Sequence, residues 1–319
     1  MTGYATGTGN RLSNDGTYTY TYDNEGNTLT KTRTSDGQTT TFTWDYRNRL
    51  TEVVIKTAGG TTVQDDKFTY DVENRRIGKL TFGGTQLWTI YNGANPYADF
   101  NGATLAYRYL YGNALDFLLA RFDGTTTMWY LTDKLGSVRQ DVSTNGTVLD
   151  QLVYDSYGNI LSETNAGNGD RFKFTGREWD AELGLYFYRR RYYGPADGRF
   201  ESEDPQGFKA GDPDLYRYVN NSPISHGDPT GLDKDPGSSG TGLLPSTPPL
   251  LPFQRTPPTP QEELFNRKIA LGEEFTPDEM KSLTPAQRAE VYKRRRERGQ
   301  VLLQKINDGS SGICVGTFS

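Results

Sequence analysis

Tyr22-Asp23, Trp44-Asp45, Tyr70-Asp71, Thr132-Asp133 and Tyr154-Asp155 each close a run of alternating polar and apolar residues; a short turn rich in Gly and Asn and a second run follow. Asp23 and Asp45 are 22 residues apart, as are Asp133 and Asp155. A repeat of this length marks an array of β-hairpins, each too small to bury its own face and therefore obliged to pack on its neighbour. Asn and Gly after the Asp supply the positive φ of a tight hairpin, and the carboxylate can accept from turn amides. The aromatic is expected to pack against the next hairpin. Aromatics and carboxylates at regular intervals also suit a sugar-binding groove, but their periodicity favours a structural role.

The 319 residues divide into two compositions at Leu232. Of the 21 Tyr only Tyr292 follows it, and all four Trp (Trp44, Trp88, Trp129, Trp179) precede it, whereas ten of the 16 Pro come after. Residues 233–260 form a Gly/Ser- and then Pro-rich linker of partly polyproline II character, unable to build a core. Residues 261–319 turn helical: Thr276-Pro-Asp-Glu279 and Thr284-Pro-Ala-Gln287 are both capping boxes with Pro at the first helical position. Fold class is thus all-β, a β-hairpin array followed by a short α-helical tail.

One His and one Cys exclude a disulfide framework or a Cys/His zinc site within the chain, and nothing calls for a cofactor. The N-terminus has neither the basic nor the apolar stretch of a signal peptide, and no apolar run reaches the length of a membrane span. A net charge of −5 gives no general reason for nucleic-acid binding. The cluster Lys293 to Arg298 is balanced by Glu290 and Glu297 and reads as a charged helix face.

The repeats are followed by Phe174-Thr-Gly-Arg-Glu-Trp-Asp180, Gly184-Leu-Tyr-Phe-Tyr-Arg-Arg-Arg-Tyr-Tyr193, Gly198-Arg-Phe200, Asp204-Pro-Gln-Gly207, Leu215-Tyr-Arg-Tyr-Val219 and Pro223 through Asp228-Pro-Thr-Gly-Leu232. In this order they resemble the C-terminal part of Rhs/YD-repeat proteins, with YD repeats over 1–173 and an Rhs core-associated domain over 174–232. The resemblance implies that the array winds into a partial spiral shell, part of a hollow shell of hairpins around a toxic C-terminal polypeptide, closed at one end by a segment that is an aspartic autoprotease. Carried onto this chain, it implies Asp204 and Asp228 as catalytic carboxyls and Leu232-Asp233 as the bond cut. Two close carboxyls cannot both ionise, so one serves as acid while the other activates water. Arg199, close upstream of Asp204, is expected to orient a carboxylate. Gly194 stands where the family usually shows Asp.

The same resemblance makes the C-terminal region the cargo and suggests a longer Rhs shell, a secretion apparatus or an immunity protein as partners. It also implies a secreted or cell-surface location, cytoplasmic before export, in bacterial intercellular competition. A chain with about 230 residues of hairpins, beginning in mid-pattern, is expected to be too short for a closed shell. His226 is read as a polar loop residue, and Arg189-Arg190-Arg191 as solvated or ion-paired structure. Two other readings stand beside this one: a non-catalytic surface repeat protein binding carbohydrate or protein, and a tail, 233–319, that is itself a small toxin directed at nucleic acid or a membrane.

Overall fold

The computed structural model describes residues 3–113, 115–232, 268, 275–284, 287, 288 and 291. The chain forms two compact units, Met1–Pro245 and Ser246–Ser319.

In the first unit, sixteen strands from β1 (Tyr4–Thr6) to β16 (Ile160–Glu163) form one antiparallel sheet in which each strand pairs with the next in sequence. Among the described residues β1 and β16 have a partner on one side only, so the sheet is open. The hairpin turns explain the repeat. Oδ1 of Asp23 accepts from the amides of Glu25 (2.9 Å) and Asn27 (2.8 Å), and Oδ2 from the Asn27 side chain (2.8 Å). Asp45, Asp71, Asp133 and Asp155 likewise bind the amides two and four residues on. The residue three places after each Asp (Gly26, Asn48, Asn74, Gly136, Gly158) has positive φ, the conformation Gly and Asn adopt most cheaply.

In the four pairs that have one, the aromatic reaches back to the preceding hairpin, not forward. Tyr22 Oη donates to the Leu12 carbonyl, Trp44 Nε1 to Thr28, Tyr70 to Leu50 and Tyr154 to Val138, at 2.8–2.9 Å. A side chain that buries its ring while its polar tip binds a carbonyl one hairpin away fixes the stacking distance of the array. With carboxylates and ring tips engaged in this way, these pairs are structural.

A second antiparallel sheet, the plug, comprises β17 (Glu178–Asp180), β18 (Leu185–Tyr188), β19 (Arg191–Gly194) and β20 (Arg199–Phe200) and packs against the first. Strands β18 and β19 are buried on both faces. Strand alternation sends Tyr186, Tyr188 and Tyr193 into one cluster with Tyr109, Val138, Leu152 and Tyr154 of the large sheet. It sends Leu185, Phe187 and Tyr192 into another with Phe42, Leu50, Val53 and Phe68. At roughly 1.5–3 kcal/mol for each buried side chain, these rings are what hold the plug against the large sheet. Their hydroxyls are not left stranded: Tyr186 donates to Gly158, Tyr193 to Tyr157 and Tyr216 to Gly26, all carbonyls of the turn rim. Buried Arg76 joins the two sheets by binding Asp180, Glu178 and the Tyr192 hydroxyl.

In the second unit, α1 (Pro277–Ser282) begins as the sequence predicts. Thr276 Oγ1 accepts from the Glu279 amide, the Glu279 carboxylate accepts from the Thr276 amide, and Pro stands in the first turn. Thr284 and Gln287 exchange the same pair of bonds. The Pro-rich linker and most of the helical tail lie outside the described residues.

Candidate active site

Asp204 and Asp228 lie 24 positions apart in the chain, and the fold brings them to one guanidinium. Arg191 Nη2 is 3.0 Å from Asp204 Oδ2 and 3.4 Å from Asp228 Oδ2. All three side chains are buried, with 3%, 7% and 2% of their surface exposed. A cation in contact with both carboxylates offsets the repulsion that bringing them together would create. Arg191 also donates from Nε to the Gly231 carbonyl (2.5 Å) and from Nη1 to the Leu215 carbonyl (3.2 Å), with its guanidinium 3.6 Å from the centre of the Phe200 ring. Position and orientation of this one side chain are thereby fixed by two backbone groups and a ring.

Each carboxylate is also the cap of its own turn. Asp204 Oδ1 accepts from the Gln206 amide at 2.8 Å. Asp228 Oδ1 accepts from the amides of Thr230 (3.2 Å), Gly231 (2.8 Å) and Leu232 (3.3 Å), which wraps Asp228-Pro-Thr-Gly-Leu232 around the carboxylate. Turn and candidate catalytic roles coincide in the same residues. At Gly231, φ is +71°, and a Cβ would stand 2.1 Å from the Tyr188 carbonyl oxygen, so only Gly fits.

The segment is gripped from its other side as well. Arg177 and Arg189 both donate to the Pro229 carbonyl and share a single acid, Asp116. Burial and the neighbouring Arg177 pull the Arg189 guanidinium below its ordinary range, the sign of surplus positive charge beside the segment. Gln206 Nε2 donates to the Leu232 carbonyl at 3.4 Å. A cleft of about 50 Å³ opens on Arg191, Asp204 and Asp228, room for a few waters but not for a polypeptide.

The positions expected from sequence divide accordingly. Asp204, Asp228 and Leu232 come together, while Asp233 lies outside the described residues. Arg199 does not join them. It stands over the Tyr216 ring, 4.7 Å from its centroid, and donates to the Asn10 carbonyl at 2.7 Å. Alternation along β20 puts Phe200, not Arg199, on the face beside Arg191. Gly194 faces Glu201 and Asp197: the atoms nearest to a Cβ placed there belong to these two and to Leu185, not to the Asp204–Asp228 pair. His226 has a buried Nδ1 without a hydrogen-bond partner among the described residues. Arg191, read from sequence as one of three solvated or ion-paired arginines, is the group that bridges the pair, whereas Arg190 is exposed. The signal was available: an Arg next to Tyr192-Tyr193 in a strand of buried aromatics requires an acid partner.

Against known proteins, residues 7–224 match the Teneurin YD-shell family model. The tRNA nuclease WapA of Bacillus subtilis (strain 168) is 31% identical over 211 residues, covering 62% of this chain and 8% of that protein. Toxin protein Tse5 of Pseudomonas aeruginosa is 38% identical over 104 residues, 33% of this chain and 8% of Tse5. The chain therefore spans about a twelfth of the length of these relatives. Among solved structures, the Photorhabdus luminescens Tc holotoxin pore superposes with a TM-score of 0.50 at 19% identity, over 68% of this chain and 13% of that one, a likeness of fold. Turn-capping Asp residues at hairpin intervals, the open sequential sheet and the family match over residues 7–224 converge: the chain belongs to the Teneurin YD-shell family, the Rhs/YD-repeat proteins.

Proposed function

We propose that this chain is the closing end of an Rhs-type shell that presents the polypeptide following Leu232 and releases it by cutting its own Leu232-Asp233 bond. The observation that carries the reading is the convergence of both DPxG carboxylates on buried Arg191, which simultaneously holds the carbonyl of Gly231, the residue before Leu232.

In this reading one carboxylate of the pair takes a proton from a water in the cleft as that water attacks the Leu232 carbonyl carbon. The other, protonated, gives its proton to the departing Asp233 nitrogen. Arg191 positions the pair and disfavours ionic repulsion between them. Gln206 is placed to donate to the Leu232 oxygen as negative charge develops there. The small cleft limits the reaction to the segment already wound around Asp228, so the cut is made once and in cis. Toxin-associated relatives support export to the cell surface or beyond, with the residues after Leu232 as cargo and an immunity or secretion partner elsewhere. No helix among the described residues is long and apolar enough to cross a membrane.

Purified full-length chain is expected to yield fragments 1–232 and 233–319 by mass spectrometry, with Asp204→Asn and Asp228→Asn remaining whole. Persistence of the intact chain through prolonged incubation refutes the proposal.

A further inference from the structure

Away from the Asp204–Asp228 pair, Lys31 on β4 (Thr28–Arg33) of the large sheet meets the turn between β19 and β20. Lys31 Nζ lies 2.6 Å from Asp197 Oδ2, and the side chains are 15% and 8% exposed. Glu201, 4% exposed, completes the group. A Cβ placed on Gly194 would stand 3.2 Å from Glu201 Oε1 and 3.6 Å from Asp197 Oδ2, so both carboxyls border the same small space. The Tyr18 and Tyr20 rings wall it, their centroids 4.6 Å and 5.4 Å from Lys31 Nζ. An amine in contact with one carboxyl, beside a second carboxyl, in an aromatic and largely dry setting has the components for amide formation: a nucleophile, an acyl acceptor and a proton carrier.

We propose that Lys31 and Asp197 form an intramolecular isopeptide bond, with Glu201 carrying protons between them. The Lys31 nitrogen attacks Asp197 Cγ and the C–N bond forms. Glu201 donates a proton to the Asp197 oxygen that leaves and recovers one from the attacking nitrogen. The C–O bond breaks and one water departs. Ammonium plus carboxylate become amide plus water, and neither an oxidant nor a co-reactant is needed. Burial holds Glu201 above its ordinary range despite Lys31, the direction a proton carrier needs. Burial alone lowers Lys31, but Glu201 and then Asp197 outweigh it and leave it raised, so the proton must pass within the group before the nitrogen can attack. Gly194 contributes by omission: a side-chain carboxyl there would enter the same space and add a third negative charge. The bond would fasten the plug to the fourth strand of the shell and keep that end closed after any cut at Leu232.

Intact-mass measurement of the full chain tests this. The expected result is a mass lower by one water than the sequence requires, a branched peptide joining the segments around Lys31 and Asp197, and the full mass in Lys31→Arg and Glu201→Gln. A wild-type chain at full mass overturns the bond. So does a deficit that persists in Lys31→Arg, because Asp197-Gly198 can also lose water by closing a succinimide without any lysine. A deficit retained in Glu201→Gln overturns the proton-carrying role. Both residues lie before Leu232, so the measurement is equally decisive on fragment 1–232 if self-cleavage occurs.

Discussion

Gly231→Ala is expected to uncouple self-cleavage from folding. A side chain at φ +71° costs about 1–2 kcal/mol in backbone strain. The larger effect is steric. The new Cβ would lie 2.1 Å from the Tyr188 carbonyl oxygen and 3.2 Å from the amides of Arg190 and Arg191, all backbone atoms of a buried hairpin. A carbon and an oxygen in close contact stand at about 3.3 Å, so the segment must retreat by roughly 1 Å. That retreat draws the Gly231 carbonyl from Arg191 Nε and the Leu232 carbonyl from Gln206. A displacement of this size at the reacting group costs on the order of 100-fold in rate. The remainder of the fold is spared, and melting should fall by only about 2–8 °C. The assay is a timed denaturing gel of freshly refolded chain beside a thermal melt. Gly184→Ala is the control: φ is +67° there too, but nothing lies within 4 Å of the new Cβ. It should cleave at the wild-type rate. Wild-type cleavage by Gly231→Ala would refute the claim that this close contact sets the geometry of the scissile segment.

Two further outcomes follow from the same structure. Arg199→Ala should leave cleavage unchanged, whereas Arg191→Met should abolish it and destabilise the fold by about 3–5 kcal/mol by leaving buried carboxylates without their cation, measurable by gel and denaturant titration. Asp141 is held at about 7 by burial, then by Asp170 and cross-strand Asp150, against Arg121 and Lys173, and its Oδ1 has no hydrogen-bond partner among the described residues. Its pKa is raised on folding, so its contribution is complete below the unfolded value and is lost as pH rises through about 7. Relative to Asp141→Asn, the wild-type chain should therefore lose about 2–3 kcal/mol between pH 5 and pH 8, and parallel stability curves would refute the assignment.

The sequence by itself determined the hairpin array, because every element of the YD repeat is local. Asp caps amides two and four residues on, and Gly or Asn sits at the one position that turns left-handed. It also determined the capped start of α1, where Thr276 and Glu279 satisfy each other's amides within one turn. The direction of the aromatic's bond was not local, since it depends on which neighbouring carbonyl is one hairpin away. Nor was the partner of the paired carboxylates. Arg199 is near Asp204 in the chain, but strand alternation turns it toward Asn10, while Arg191 is carried in by a hairpin buried on both faces. Lys31 and Asp197, 166 positions apart, meet only because the small sheet packs against the large one. Side chains that serve turns are legible from spacing, because the chain itself supplies their partners. Side chains that serve the candidate sites are not, because their partners arrive through burial of the aromatic core, and only the tertiary structure decides which strand brings them.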